Sequence, residues 1–96
     1  MKVIYKPVGA QPFEMDIDKT LEQFQSMVDG YFEYVMVTTD LAIICNENGR
    51  LMRMPYNCTI LGHDFVGPVF FVGVGRKDWK DCPVPLTEVK KMIGGE

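Results

Sequence analysis

The stretch Leu41-Ala42-Ile43-Ile44-Cys45 is apolar at every position, with turn formers on both sides: Thr38-Thr39-Asp40 before it and Glu47-Asn48-Gly49 after it. It is too short for a buried helix and suits a strand. Side chains alternate between the two faces of a strand, so one without a polar position has to be covered on both. The rest of the chain must supply those covers.

Strand signals recur on either side. Val3-Ile4-Tyr5 reads as a short strand, and Pro7 to Pro12, around Gly9, as a turn. Phe13, Met15 and Ile17 alternate with Glu14, Asp16 and Asp18, the period of a half-buried strand with an acidic outer face, and the two segments should form a hairpin. Phe32 to Val37 is rich in aromatic and β-branched residues, a further strand. Asn48-Gly49 favours positive φ, so a hairpin turn is expected there, with Leu51 to Met54 returning as the paired strand, Pro55 ending it and Tyr56-Asn57 opening a loop. Phe65 to Val74 is a strand interrupted at Gly67-Pro68, where the missing N–H predicts a bulge or an edge position.

Two helices complete the pattern. Thr20 and Gln23 make a capping box before an apolar stripe of Leu21, Phe24, Met27 and Val28, with Gly30 expected in the left-handed position that ends the helix. Thr87 should cap a short final helix, Glu88 to Ile93, with Val89, Met92 and Ile93 facing inward. The fold class that follows is α+β: a mainly antiparallel sheet of about five or six strands, one helix packed on a face and a short C-terminal helix. The 96 residues suit a single domain, 1–96.

The formal charge of −3 argues against non-specific nucleic-acid binding. It is unevenly spread, −5 over residues 1–48 and +2 over 49–96. No apolar run approaches the ~20 residues of a membrane-spanning helix, so no membrane partner is expected. The cysteines, Cys45, Cys58 and Cys82, are odd in number and irregular in spacing, which predicts free thiols. Met1 to Pro7 is too short and interrupted for a signal-peptide apolar segment, and a reducing, cytoplasmic compartment is expected.

Catalytic chemistry has little to stand on. His63, beside Asp64, is the one histidine and lacks a serine motif or a second histidine. Ser26, the one serine, falls inside the helix pattern. Cys58, His63 and Cys82 match no usual zinc spacing. No catalytic residue, metal or cofactor is therefore assigned, and a non-enzyme is expected. Gly73-Val74-Gly75-Arg76-Lys77 lacks both the Walker and the dinucleotide pattern, leaving a strand-end loop or an anion-binding loop. Arg50 and Arg53 flank the expected hairpin strand beside Tyr56 and Asn57, where arginine can pair with phosphate and tyrosine can stack on a base. The bland alternative is an ordinary charged hairpin. Arg50, Arg53, Tyr56, Asn57, Arg76 and Lys77 form the expected ligand surface. Trp79, ringed by charge, is either an interface anchor or a shield over the core edge.

Four stretches carry a family likeness. They are Lys6-Pro7-Val8-Gly9-Ala10-Gln11-Pro12; Ile17-Asp18-Lys19-Thr20-Leu21-Glu22 with Gln25 and Val28-Asp29-Gly30-Tyr31-Phe32-Glu33; Asn46-Glu47-Asn48-Gly49-Arg50-Leu51 with Met54-Pro55-Tyr56-Asn57; and Ile60 to Phe65 with Gly67 and a strand ending at Gly73. Together they resemble a family of small domains of unknown function found in phages, plasmids and conjugative elements of Gram-positive bacteria. Asn46, Gly49, Leu51, Pro55 and Asn57 are the most specific part. Pro68 departs from the usual strand, and the tail from Val74 lies outside the likeness. The resemblance implies an accessory gene of a mobile element, of a kind that often counters host defence in the host-cell cytosol, and it implies no catalytic residues. Gly30, Gly49, Pro55 and Gly67 read as fold determinants. The expected function is binding and sequestering a small anionic, nucleotide-type signal, as a homo-oligomer. The alternatives are direct binding of a host defence protein, and a minor enzyme using His63.

Overall fold

The wholly apolar segment forms strand β4, Leu41–Asn46, buried at every residue. In the computed structural model, which describes residues 1–94, β4 lies between β3 (Phe32–Met36) and β7 (Val69–Val74). β7 pairs in turn with β1 (Lys2–Lys6), and β1 with β2 (Phe13–Asp16), all antiparallel, giving the order β2-β1-β7-β4-β3. A two-residue strand, β8 (Trp79–Lys80), pairs with Gly73 and Val74, past the point where β1 stops. β5 (Tyr56–Ile60) and β6 (His63–Val66) form a separate antiparallel pair. The helices are α1 (Leu21–Val28) and α2 (Leu86–Gly94).

The two covers that β4 requires are both present. On one face Ala42, Ile44, Val3, Phe70 and Val72 pack against Phe24, Met27 and Val28 of α1. On the other, Ile4, Leu41, Ile43, Val69 and Phe71 pack beneath Cys58, Ile60 and Phe65 of the β5–β6 pair and Val89 of α2.

Local chemistry explains the helix ends. Thr20 Oγ1 accepts the Gln23 N–H at 3.1 Å, the expected cap. The left-handed residue at the other end is Asp29 (φ 62°), not Gly30. Gly30 (φ 152°) instead makes room for Asn46, whose Nδ2 would lie 2.9 Å from an added Cβ. Asn46 Nδ2 donates to the carbonyls of Val28 (3.0 Å) and Asp29 (3.3 Å), and its Oδ1 accepts the Asn48 N–H (2.7 Å). Leu21, placed by spacing on the apolar stripe, is exposed. α2 begins at Leu86, where the Pro85 carbonyl accepts from Glu88 and Val89, so Thr87 lies inside the helix and does not cap it.

The expected hairpin at Asn48-Gly49 does not form. Residues 47–53 run as consecutive turns, with Met52 N–H donating to Asn48 O and Met54 N–H to Gly49 O, both at 2.9 Å. Leu51 to Met54 is not a strand. The physical reason is that both edges of β4 are already taken, so the returning chain finds no ladder to join. Gly49 has no positive φ; it is buried under β6, where an added Cβ would sit 2.8 Å from Val66 Cγ2. Tyr56-Asn57, expected to open a loop, begins β5. Gly67-Pro68 is neither bulge nor edge but the break between β6, in the small sheet, and β7, in the large one.

Gly73 is crowded by the strand laid against it. An added Cβ would overlap the Asp81 carbonyl oxygen and lie 3.0 Å from that of Lys80. Gly73→Ala should therefore cost about 1–3 kcal/mol, the usual penalty of overpacking, read as a lowered urea midpoint. An unchanged midpoint would show that β8 is not held there.

Candidate functional site

β3 ends the sheet, and among the described residues nothing pairs with its outer side. At one end of the β3–β4 ladder Val37 N–H donates to Leu41 O (2.8 Å), and at the other Glu47 N–H donates to Tyr31 O (3.0 Å). Antiparallel pairing alternates, so Tyr31, Glu33, Val35 and Val37 turn their peptide groups toward β4. Phe32, Tyr34 and Met36 turn theirs outward.

The side chains of the same three residues lie on the α1 face. Phe32 packs on Phe24 at 5.3 Å between ring centroids, whereas Tyr34 is 57% and Met36 42% exposed. Trp79 closes the space that α1 leaves. Its ring lies 5.8 Å from Phe24 and 5.5 Å, edge-on, from Tyr34. A groove of about 410 Å³ runs between Tyr34 and Met36 on one wall and Val74, Lys77 and Trp79 on the other.

The loop that carries Lys77 and Trp79 is tied down. Gly75 N–H donates to Asp78 O (2.8 Å), closing a tight turn. The Asp78 carboxylate pairs with Lys19 (3.1 Å) and accepts the Trp79 N–H (2.8 Å). The hydrogen bond from Lys19, followed by that from Trp79, holds Asp78 below the usual carboxylate range.

Of the residues singled out by sequence, Lys77 and Trp79 meet in this groove, with Arg76 exposed on the same loop. Arg50 and Arg53 lie at the opposite end of the sheet. β4 pairs Leu41 with Gly73 and Ile44 with Phe70, so the 47–53 turns and the 75–78 loop are a strand length apart, roughly 20 Å at ~3.3 Å per residue. One chain does not unite the four bases. The Arg50 guanidinium donates to Asp64 O (2.8 Å), beside a small cavity walled partly by Glu33, Glu47 and Asp64, a surface unsuited to an anion. Tyr56 is exposed and its hydroxyl shares a hydrogen bond with Thr59 Oγ1 (2.6 Å). Asn57 is buried, its Nδ2 donating to the carbonyls of Lys6 (2.9 Å) and Gly67 (2.7 Å). It serves the fold from inside and offers little of itself at the surface.

Sequence reading missed Tyr34 and Met36. The composition of Phe32 to Val37 marked a strand, but nothing local says that β3 is an edge or that α1 stops short of Met36.

The reactive side chains are scattered. His63 is exposed and stacks on Phe65 at 4.5 Å, and Ser26 is exposed on α1. Among the described residues no three of His, Cys, Asp and Glu gather into a metal-binding group. The thiols are buried and unpaired. Burial, with the Glu33 charge adding, pushes Cys45 up to about 11. Burial also raises Cys58, against the opposing charge of Lys6, and raises Cys82. At pH 8 a thiol reagent should therefore label the native protein slowly and reach all three cysteines only after denaturation. With folded values above unfolded ones, the thiol contribution to stability is complete below the unfolded value and is lost as pH rises toward about 11. Urea midpoints at pH 8 and 10.5 should fall, and Cys45→Ala should flatten the fall.

No curated protein and no solved structure matches the chain. One family profile does, and it reaches through the tail from Val74 that the sequence likeness left out. The chain belongs, over residues 1–94, to the family described as a domain of unknown function, DUF3846.

Proposed function

We propose that this protein is a non-enzymatic accessory protein of a phage or mobile element that acts by direct binding, capturing a host defence protein on the open edge of β3. The observation that carries the reading is the coincidence of outward-facing backbone at Phe32, Tyr34 and Met36 with exposed apolar side chains at Tyr34 and Met36, and with Trp79 beside them. An edge strand of this kind takes an added strand, whose backbone supplies affinity while pockets for alternate side chains supply specificity. The Tyr34–Trp79 groove is such a pocket, and tyrosine and tryptophan are the side chains that most often dominate interfaces. The opposite edge contrasts with it. β2 alternates Phe13 and Met15 with Glu14 and Asp16 and follows Pro12, devices that discourage pairing. The mobile-element setting rests on the sequence resemblance.

The test is affinity isolation of the tagged protein from host cells, followed by calorimetry with the partner it retains. Tyr34→Lys should weaken that complex at least tenfold while keeping the melting temperature, and Glu14→Lys on the far edge should not. Two outcomes would overturn the reading: a Tyr34→Lys, Met36→Lys variant that binds as wild type, or a β3 edge occupied by a second copy, seen as a dimer that the same variant dissociates.

A further inference from the structure

A second site lies on the other face and at the other end of the sheet. Lys6 closes β1 on the same face as Ile4, beneath β5. It is only 7% exposed, and its Nζ donates to Pro7 O and to Asn57 Oδ1, both at 2.9 Å. Both acceptors are neutral, and among the described residues no carboxylate pairs with it. An ammonium has three donors, so one remains for another acceptor. A polar group buried this far from water is stabilised by each further acceptor that reaches it.

Lys6 lines a cleft of about 540 Å³ between the β1–β2 turn and the end of α2. That volume is within the ~300–1,000 Å³ range of small-molecule sites. Gln11 and Pro12 form one wall, Lys90 and Ile93 the other, and among the described residues no acidic or aromatic one lines it. Gly9 (φ 74°) adds backbone at the mouth with nothing within 4 Å of where a Cβ would stand. Two lysines, an amide and bare backbone suit an oxyanion.

We propose that this cleft binds the phosphate group of a small molecule, with Lys6 as the buried charge and Lys90 and Gln11 as the groups that meet it from the two walls. The site is independent of the β3 edge, and it gives the anionic ligand expected from sequence a place that the arginines do not.

Calorimetry of the full chain at low ionic strength against inorganic phosphate, pyrophosphate and AMP tests it. At least one probe should bind one to one and weaken with added salt. Lys90→Glu and Gln11→Glu, both at exposed positions that should leave the fold intact, should each weaken binding about tenfold or more, the scale of a lost charge-assisted hydrogen bond. Tyr34→Lys should leave binding unchanged, which separates this site from the β3 edge. AMP binding more tightly than phosphate would point to a nucleotide, equal affinities to the phosphate group alone. Absence of heat with all three probes, or full binding by Lys90→Glu, would overturn the proposal.

Discussion

Because β4 is hydrogen-bonded on both edges, by β3 and β7, and covered on both faces, every neighbouring segment has to find another place to go. β7 is filled in the same way, by β4 on one edge and by β1 and then β8 on the other. Fully buried Phe70, Phe71, Ile43 and Ile44 sit at this crossing, each worth about 1.5–3 kcal/mol of burial. The chain leaving β4 cannot pair back, so it winds through turns and starts a second, two-stranded sheet above the first. That sheet and α2 become one cover, and α1 the other.

The same arrangement decides where the surface is available. A five-strand path has two edges, and the acidic pattern of β2 guards one of them. At the other, β3 holds a single charge, Glu33, whose peptide group is committed to β4. α1 spans only eight residues and reaches Phe32 but not Met36, so the apolar row on β3 is half covered. Trp79 fills part of the gap, lying over Phe24 as the shield that its sequence context offered as one alternative, and it also forms a wall of the groove.

What sequence disclosed, and what it did not, follows from how far each signal reaches. The apolar run of β4, the alternation in β2 and the Thr20 cap are local patterns, and each gave the right element. Asn48-Gly49 is also a local signal, but a hairpin needs a free edge, and the occupancy of β4's edges is settled by β7, more than twenty residues further on. Within one chain the expected ligand surface does not converge, for a related reason. Arg50 and Arg76 were grouped by charge, while the antiparallel course of β4 and β7 sends their loops to opposite ends of the sheet. Lys6 escaped notice because a lysine closing a strand reads as solvated until β5 is laid over it.

Two asparagines in the most specific part of the family likeness have become intelligible through these covers. Asn46 ends β4 and donates to the last carbonyls of α1, tying the sheet to its helical cover. Asn57 opens the path of β5 and bonds to Lys6 of β1 and Gly67 before β7, tying the sheet to its other cover. Each amide satisfies backbone groups that burial would otherwise leave unpaired, at about 1–3 kcal/mol per group. Gly49 and Pro55 lie on the turn-rich path between them, where the chain crosses from the large sheet to the small one beneath Val66. The motif thus records the two fastenings of a strand pair that must be roofed on both sides. Lys6, joined to Asn57, is where the second fastening opens onto the cleft.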